Sequence, residues 1–221
     1  MTPDGTSAIK LMSVTEFFDF EDASVEKHEY FQGRVYPMTV QSMAGGTLRH
    51  SQIKVNLVGE LRNRLRGKQC KPFDSDLRIR IPKNGLITYP DASVVCGSPE
   101  ADKLDPNAIN NPISIFEVVS PSTEHYDRGA KFRLYKELSS LREYVLVSQD
   151  EPVVEVFRLT DNQEWIHSVF TDLKATAALQ SIGLKLPLAA LYEDVEFEPS
   201  TKPDPLFVVK PRAAKPNLRK K

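Results

Sequence analysis

"ISIFEVVS", residues 113–120, is the stretch on which the fold turns. It is an apolar, largely β-branched run interrupted by a single carboxylate, Glu117. A run of this kind is expected as a central strand buried on both faces, which implies layers above and below a sheet. An unpaired carboxylate in such a strand costs several kcal/mol. Glu117 therefore needs a cation, a hydrogen-bond network, or a place at the strand end where the sheet opens.

A second stretch raises the same question. In "YPDASVVCG", residues 89–97, Asp91 stands at the entrance of another buried-type strand. If the two strands are neighbours, both carboxylates can face one divalent ion. Hard cations such as magnesium take oxygen ligands of this kind and keep several waters. A turn that ends in Asp, or a structural salt bridge, explains the same residues without an ion.

Working outward, Ser13 and Glu16 form a capping-box pattern, with a short helix following to about Glu21. "YFQGRVYPM" reads as strand, turn, strand around Gly33. "TLRHSQIKVNLVGELRNRLRG" predicts a long helix, because Ile53, Leu57, Leu61 and Leu65 recur every fourth residue and Gly67 is a natural stop. Three strands are expected in "QCKPF", "DLRIRI" and "DASVVC", and a loop in "ADKLDPNAINNP". "STEHYDRGAKFRLYKEL" reads as a helix, followed by three strands at hairpin spacing, "EYVLVSQ", "VVEVFRL" and "EWIHSVF". A last short helix is expected in "PLAALYED". The fold class is α/β (α+β): a mixed central sheet flanked by helices, with an antiparallel C-terminal strand meander.

"PD", then 25 intervening residues, then "EVV", resembles the PD-(D/E)XK nuclease superfamily. More closely, the chain from about Val14 to Leu191 is similar to the Uma-two family, whose members are inferred to be restriction endonucleases. The segments that carry the resemblance are "EYFQGRVYPM", "HSQI" (50–53), "DLRI" (76–79), "YPDASVV", "IFEVVSPSTEHYDRGAKFRLY" and "LREYVLVSQ". It implies a restriction-endonuclease-like domain over 13–198 and metal-assisted hydrolysis of DNA. Asp91 and Glu117 would hold magnesium or manganese, with Glu29 as a third acid.

The superfamily's lysine stands two residues after the strand acid, and here that position is Val119. The resemblance points to Lys131, on the following helix, as its replacement. Helical spacing sets Arg128, Lys131 and Tyr135 along one stripe beside an apolar stripe of Ala130, Leu134 and Leu138. An Asp127–Lys131 surface pair at i,i+4 is the plainer account of that lysine. His50, in the first turn of the long helix, is a candidate site residue or a core histidine. Asp76, which opens "DLRIRI", is a candidate for the site or its support, or else a strand-edge acid, and Gln149 could reach the rim. The alternative function is a nuclease fold without cleavage, binding nucleic acid or a protein partner, and Val119 is the feature in its favour.

Bulk properties set the frame. At 221 residues and 40% hydrophobic, the chain suits one domain with an appendage. No run approaches the roughly 20 apolar residues that span a membrane, and no secretory signal is visible. Cys70 and Cys96 lie in no CxxC or Cys/His cluster, so neither zinc nor a disulfide is expected, and a cytoplasmic setting follows. The net charge of −1 is uneven: +6 from Lys202 onward and −7 before it. Residues 199–221 read as a disordered, Pro/Lys-rich arm able to meet phosphates, and 1–12 as a flexible lead-in. Cutting both strands of DNA would suit a homodimer.

Overall fold

The structure is a computed structural model that describes residues 11–38 and 47–197. The basic arm and residues 1–10 lie outside the described residues. Leu11 and Met12 belong to the fold: the Met12 N–H donates to the Gly33 carbonyl at 2.8 Å, and the Tyr30 hydroxyl donates to the Met12 carbonyl at 2.9 Å.

Helix α1 (Val14–Ala23) starts at the expected capping box. Ser13 Oγ accepts from Glu16 N, and Glu16 reaches back to Ser13 N. Strands β1 (His28–Phe31) and β2 (Arg34–Pro37) form a hairpin whose turn needs Gly33 at φ 84°. Helix α2 (Leu48–Leu65) is capped by Thr47 and buries Ile53, Leu57, Leu61 and Leu65. The chain then runs through β3 (Cys70–Asp74), β4 (Arg78–Ile81), β5 (Leu86–Thr88), β6 (Ala92–Cys96), β7 (Ala108–Ile109) and β8 (Ser114–Val119). A helical segment, α3, covers residues 124–135 and contains a π-helical turn at Asp127–Lys131. Strands β9 (Glu143–Ser148), β10 (Val154–Leu159) and β11 (Trp165–Phe170) follow. A β12 (Thr176–Leu179) and β13 (Leu184–Pro187) pair and helix α4 (Leu188–Leu191) end the described chain.

There are two mixed sheets where one was expected. The central sheet has the order β11-β10-β9-β8-β6-β3, and its one parallel pair is β8 with β9. A parallel pair needs a crossover, and α3 is that crossover. The second sheet has the order β2-β1-β5-β4-β7. It uses β5, and also β7 inside the segment expected to be a loop. The C-terminal meander β9-β10-β11 is antiparallel from β9 to β10 and from β10 to β11.

All six residues of β8 are buried, as a two-sided central strand requires. One face, with Phe116 and Val118, packs under α2 and α4. The other, with Ile115 and Val119, packs against Phe132, Tyr135 and Leu138 on and just after α3. Val119 is thus a core residue. The two sheets join at Tyr89-Pro90-Asp91, where the chain leaves β5 for β6. Pro90 lacks an N–H and fits a position outside both ladders.

The cysteines correct the sequence reading. Cys70 and Cys96 are register partners across β3 and β6 and form a disulfide. Spacing along the chain, 26 residues, gave no sign of it, because pairing depends on strand register. The cytoplasmic expectation loses that support. Among the described residues no helix is long and apolar enough to cross a membrane.

Candidate active site

A cleft of about 830 Å³ opens where the two sheets part. Glu29, His50, Asp91, Glu117, Lys131 and Gln149 all line it. They arrive from different elements: Glu29 from β1, His50 from α2, Asp91 from the switch between sheets, Glu117 from β8, and Lys131 from α3. Asp76 is largely exposed, paired with Lys27 at 2.5 Å, and lines a neighbouring pocket instead.

Asp91 and Glu117 meet at the end of the β6–β8 ladder. Ala92 opposes Phe116, so the next step along each strand brings Asp91 to Glu117. Asp91 Oδ2 accepts from the Val118 N–H at 2.7 Å. Its Oδ1 faces Lys54 Nζ at 3.1 Å and His50 Nε2 at 3.4 Å. Glu117 is served from the opposite layer. Its Oε1 accepts from Lys131 Nζ at 2.7 Å and from the Tyr135 hydroxyl at 2.9 Å. The two acids are therefore neutralised from opposite sides of the sheet, by α2 and α3, and both face the cleft.

The electrostatics of the pair diverge. Burial opposes ionisation of Asp91, but His50, Lys54 and the Val118 N–H outweigh it and hold the carboxyl down to about 2. Burial pushes Glu117 up to about 8, with Asp127 and Asp91 adding to the rise and Lys131 opposing it. Burial also works against charge on Lys131, yet Glu117, Asp127 and Glu29 surround it and hold its ammonium well above the ordinary lysine value. Lys131 is a permanent buried cation.

A pH prediction follows for metal-free protein. Glu117 holds its proton in the folded state to about pH 8, against roughly 4.3 when unfolded. Its contribution to stability is full below the unfolded value and is lost as pH rises through 8. In EDTA, Tm should fall between about pH 5 and 8.5, and Glu117→Gln should flatten that decline. Asp91 acts in the other direction: its contribution is present above about pH 4 and lost as pH falls toward 2. Parallel Tm–pH curves for wild type and Glu117→Gln, by scanning fluorimetry, would contradict the assignment of Glu117.

Several placements differ from the sequence reading. Glu29 lies inside β1, not before it. Its oxygens accept from the Thr88 hydroxyl, at 2.8 Å, and from the Tyr126 hydroxyl. Among the described residues no group of three or more His, Cys, Asp or Glu is placed to hold a metal, so a three-acid set with Glu29 is not assembled. His50 is a cleft residue partnered with Asp91, and the core stripe of α2 begins at Ile53. On α3 the buried face carries Asp127, Lys131 and Tyr135, whereas Arg128 turns outward to Glu124 and Glu155. Lys131 Nζ does lie 3.3 Å from Asp127, but that pair is buried and shares the ammonium with Glu117. The sequence reading missed Lys54, although it stands one turn after His50 on the same helix edge.

Known proteins resemble this chain. "Uncharacterized protein slr1290" of Synechocystis sp. is 36% identical over 186 residues, covering 84% of this chain and 94% of that protein. "Uncharacterized protein sll1609" of the same organism is 29% identical over 157 residues, covering 71% and 86%. The crystal structure of "a putative nuclease belonging to DUF820" from Anabaena variabilis superposes with a TM-score of 0.63 at 19% identity, covering 80% of this chain and 96% of that one. That likeness is one of fold. The family described as "Uma2: Putative restriction endonuclease" matches residues 14–189, which include every element that builds the cleft, and the chain belongs to that family.

Proposed function

We propose that the chain is a magnesium- or manganese-dependent endonuclease that hydrolyses phosphodiester bonds of DNA. The observation that carries this reading is the paired rim acids, Asp91 and Glu117, with a buried lysine on Glu117, facing an open cleft. Among the described residues five carboxylates line it, Glu26, Glu29, Asp91, Glu117 and Asp127, against Lys27, Lys54, Lys131 and the imidazole of His50. Burial is the main cause of the upward push on Glu117, and the neighbouring Asp127 and Asp91 add to it. A divalent cation would relieve it.

The residues fit such an ion. Magnesium is commonly held by one or two carboxylates, with water and substrate phosphate completing its shell. Asp91 and Glu117 supply two carboxylates at one rim. When bound, the ion would polarise the phosphate and acidify a water. Lys131 fixes the Glu117 carboxylate by a direct ion pair, and Tyr135 holds the same oxygen. Glu29 keeps Tyr126 in place and adds to the field that keeps Lys131 charged. His50 and the Val118 N–H hold Asp91 ionised, ready to receive a cation. The acidic cleft repels DNA until metal enters, and the basic arm beyond residue 198 would supply phosphate contacts. Cutting both strands of a duplex calls for two such sites, hence a pair of copies.

A second reading is kept alive by Lys131 itself. Its side chain is 6% exposed and engaged by two acids, as a purely structural lysine in a binding module would be. Incubation of the full chain with supercoiled plasmid separates the two. Nicking or linearisation with Mg²⁺ or Mn²⁺, and none in EDTA, is expected. Metal-dependent DNA binding without cleavage would favour the binding module.

A further inference from the structure

Among the described residues three lysines line the cleft, and two are committed. Lys131 is buried between Glu117 and Asp127. Lys27 is engaged at the cleft's edge with Asp76 and the Ser75 carbonyl, beside the Tyr89 ring. Lys54 is different. Its side chain is 28% exposed, and its ammonium rests on Asp91 Oδ1 at 3.1 Å and on the neutral Ser75 hydroxyl at 3.1 Å. It projects from α2 one turn after His50, beside a stripe buried in the core, so its backbone is rigidly placed.

We propose that Lys54 is a catalytic residue of this cleft: a divalent cation that takes Asp91 displaces its ammonium, which then moves onto a non-bridging oxygen of the scissile phosphate. This rests on the nuclease reading. The displacement is a matter of charge. An ammonium and a dication cannot share one carboxylate oxygen without strong repulsion at a few ångströms. Lysine is a compact charge on a flexible four-carbon stem, so it can swing while α2 stays still. Among the described residues its other hydrogen bond is to a neutral hydroxyl, Ser75 Oγ. The arriving phosphate brings negative charge to the same mouth of the cleft, and a cation there stabilises the charge that grows on it. The arrangement gives the two lysines separate tasks. Lys131 holds a metal ligand, and Lys54 meets the substrate.

The test uses the full chain with Lys54→Met and Lys54→Arg. Without DNA, Mn²⁺ should bind Lys54→Met more tightly than wild type by about threefold or more, because the competing cation is gone. Lys54→Arg should bind it about as wild type does. With saturating Mn²⁺, single-turnover cleavage of a labelled duplex should drop by roughly 100-fold in Lys54→Met and recover at least tenfold in Lys54→Arg. Wild-type cleavage together with unchanged Mn²⁺ affinity and near-normal cleavage in Lys54→Met would overturn the role of Lys54 and leave the nuclease reading standing. If wild type binds Mn²⁺ but cuts nothing, the nuclease reading fails and so does the phosphate contact. The affinity arm still decides whether Lys54 and metal compete for Asp91.

Discussion

Asp91→Ala and Glu117→Ala should each lower the rate of Mn²⁺-dependent DNA cleavage by about 10³-fold or more. The two acids are the ion's protein ligands in the proposed site, and each alone leaves it half held. Their losses should not add: the double variant should be little slower than either single one, because the groups act as a unit. Asp91 brings a further consequence. It accepts from the Val118 N–H, and truncation frees that donor at the end of β8. Asp91→Asn keeps an oxygen for that bond, so its activity loss reads the charge alone. Activity within tenfold of wild type in either alanine variant, at saturating Mn²⁺ and with a native Tm, would remove that residue from the metal site.

Lys131→Met should be the most destabilising single change in the cleft, by about 3–5 kcal/mol at about pH 10, where Glu117 is ionised in wild type. The ammonium is buried, and removing it leaves Glu117 and Asp127 facing each other without a cation. The sign of the pH dependence is fixed by the same geometry. Protonation of Glu117 relieves the repulsion, so the deficit should grow as pH rises above about 8 and level off below it. A double variant, Lys131→Met with Glu117→Gln, should recover much of the lost stability, because one of the two unpaired acids is then neutral. Denaturant unfolding at about pH 10 and about pH 7, on either side of the Glu117 titration, measures all of this. A Lys131→Met deficit under about 1 kcal/mol at about pH 10 would mean that the pair is no more than a surface bridge.

The central strand was legible because a buried strand writes its environment into composition: β8 is apolar except for Ser114 and Glu117. The α2 helix was legible for a similar reason, since Ile53, Leu57, Leu61 and Leu65 keep one period. The stripe on α3 was misread, with Arg128 placed alongside Lys131. Asp127 and Lys131 lie in a π-helical turn, which ordinary helical spacing does not anticipate. The second sheet was hidden because β5 and β7 are only three and two residues long. The hydroxyls of Thr88 and Tyr126 reach Glu29 across 59 and 97 residues of chain, so their roles depend on how the sheets meet. The Cys70–Cys96 bond likewise depends on register. Lys54 lay within reach of the sequence argument, four residues after His50, but only the fold shows that both point at Asp91.

The most direct measurement is a crystal grown with Mn²⁺, with the ion located by its anomalous scattering. One ion is expected, bonded to a carboxylate oxygen of Asp91 and one of Glu117, with Lys131 still on Glu117 and the Lys54 ammonium moved off Asp91. An ion bound elsewhere, or none at saturating Mn²⁺ with Lys54 still on Asp91, would contradict it.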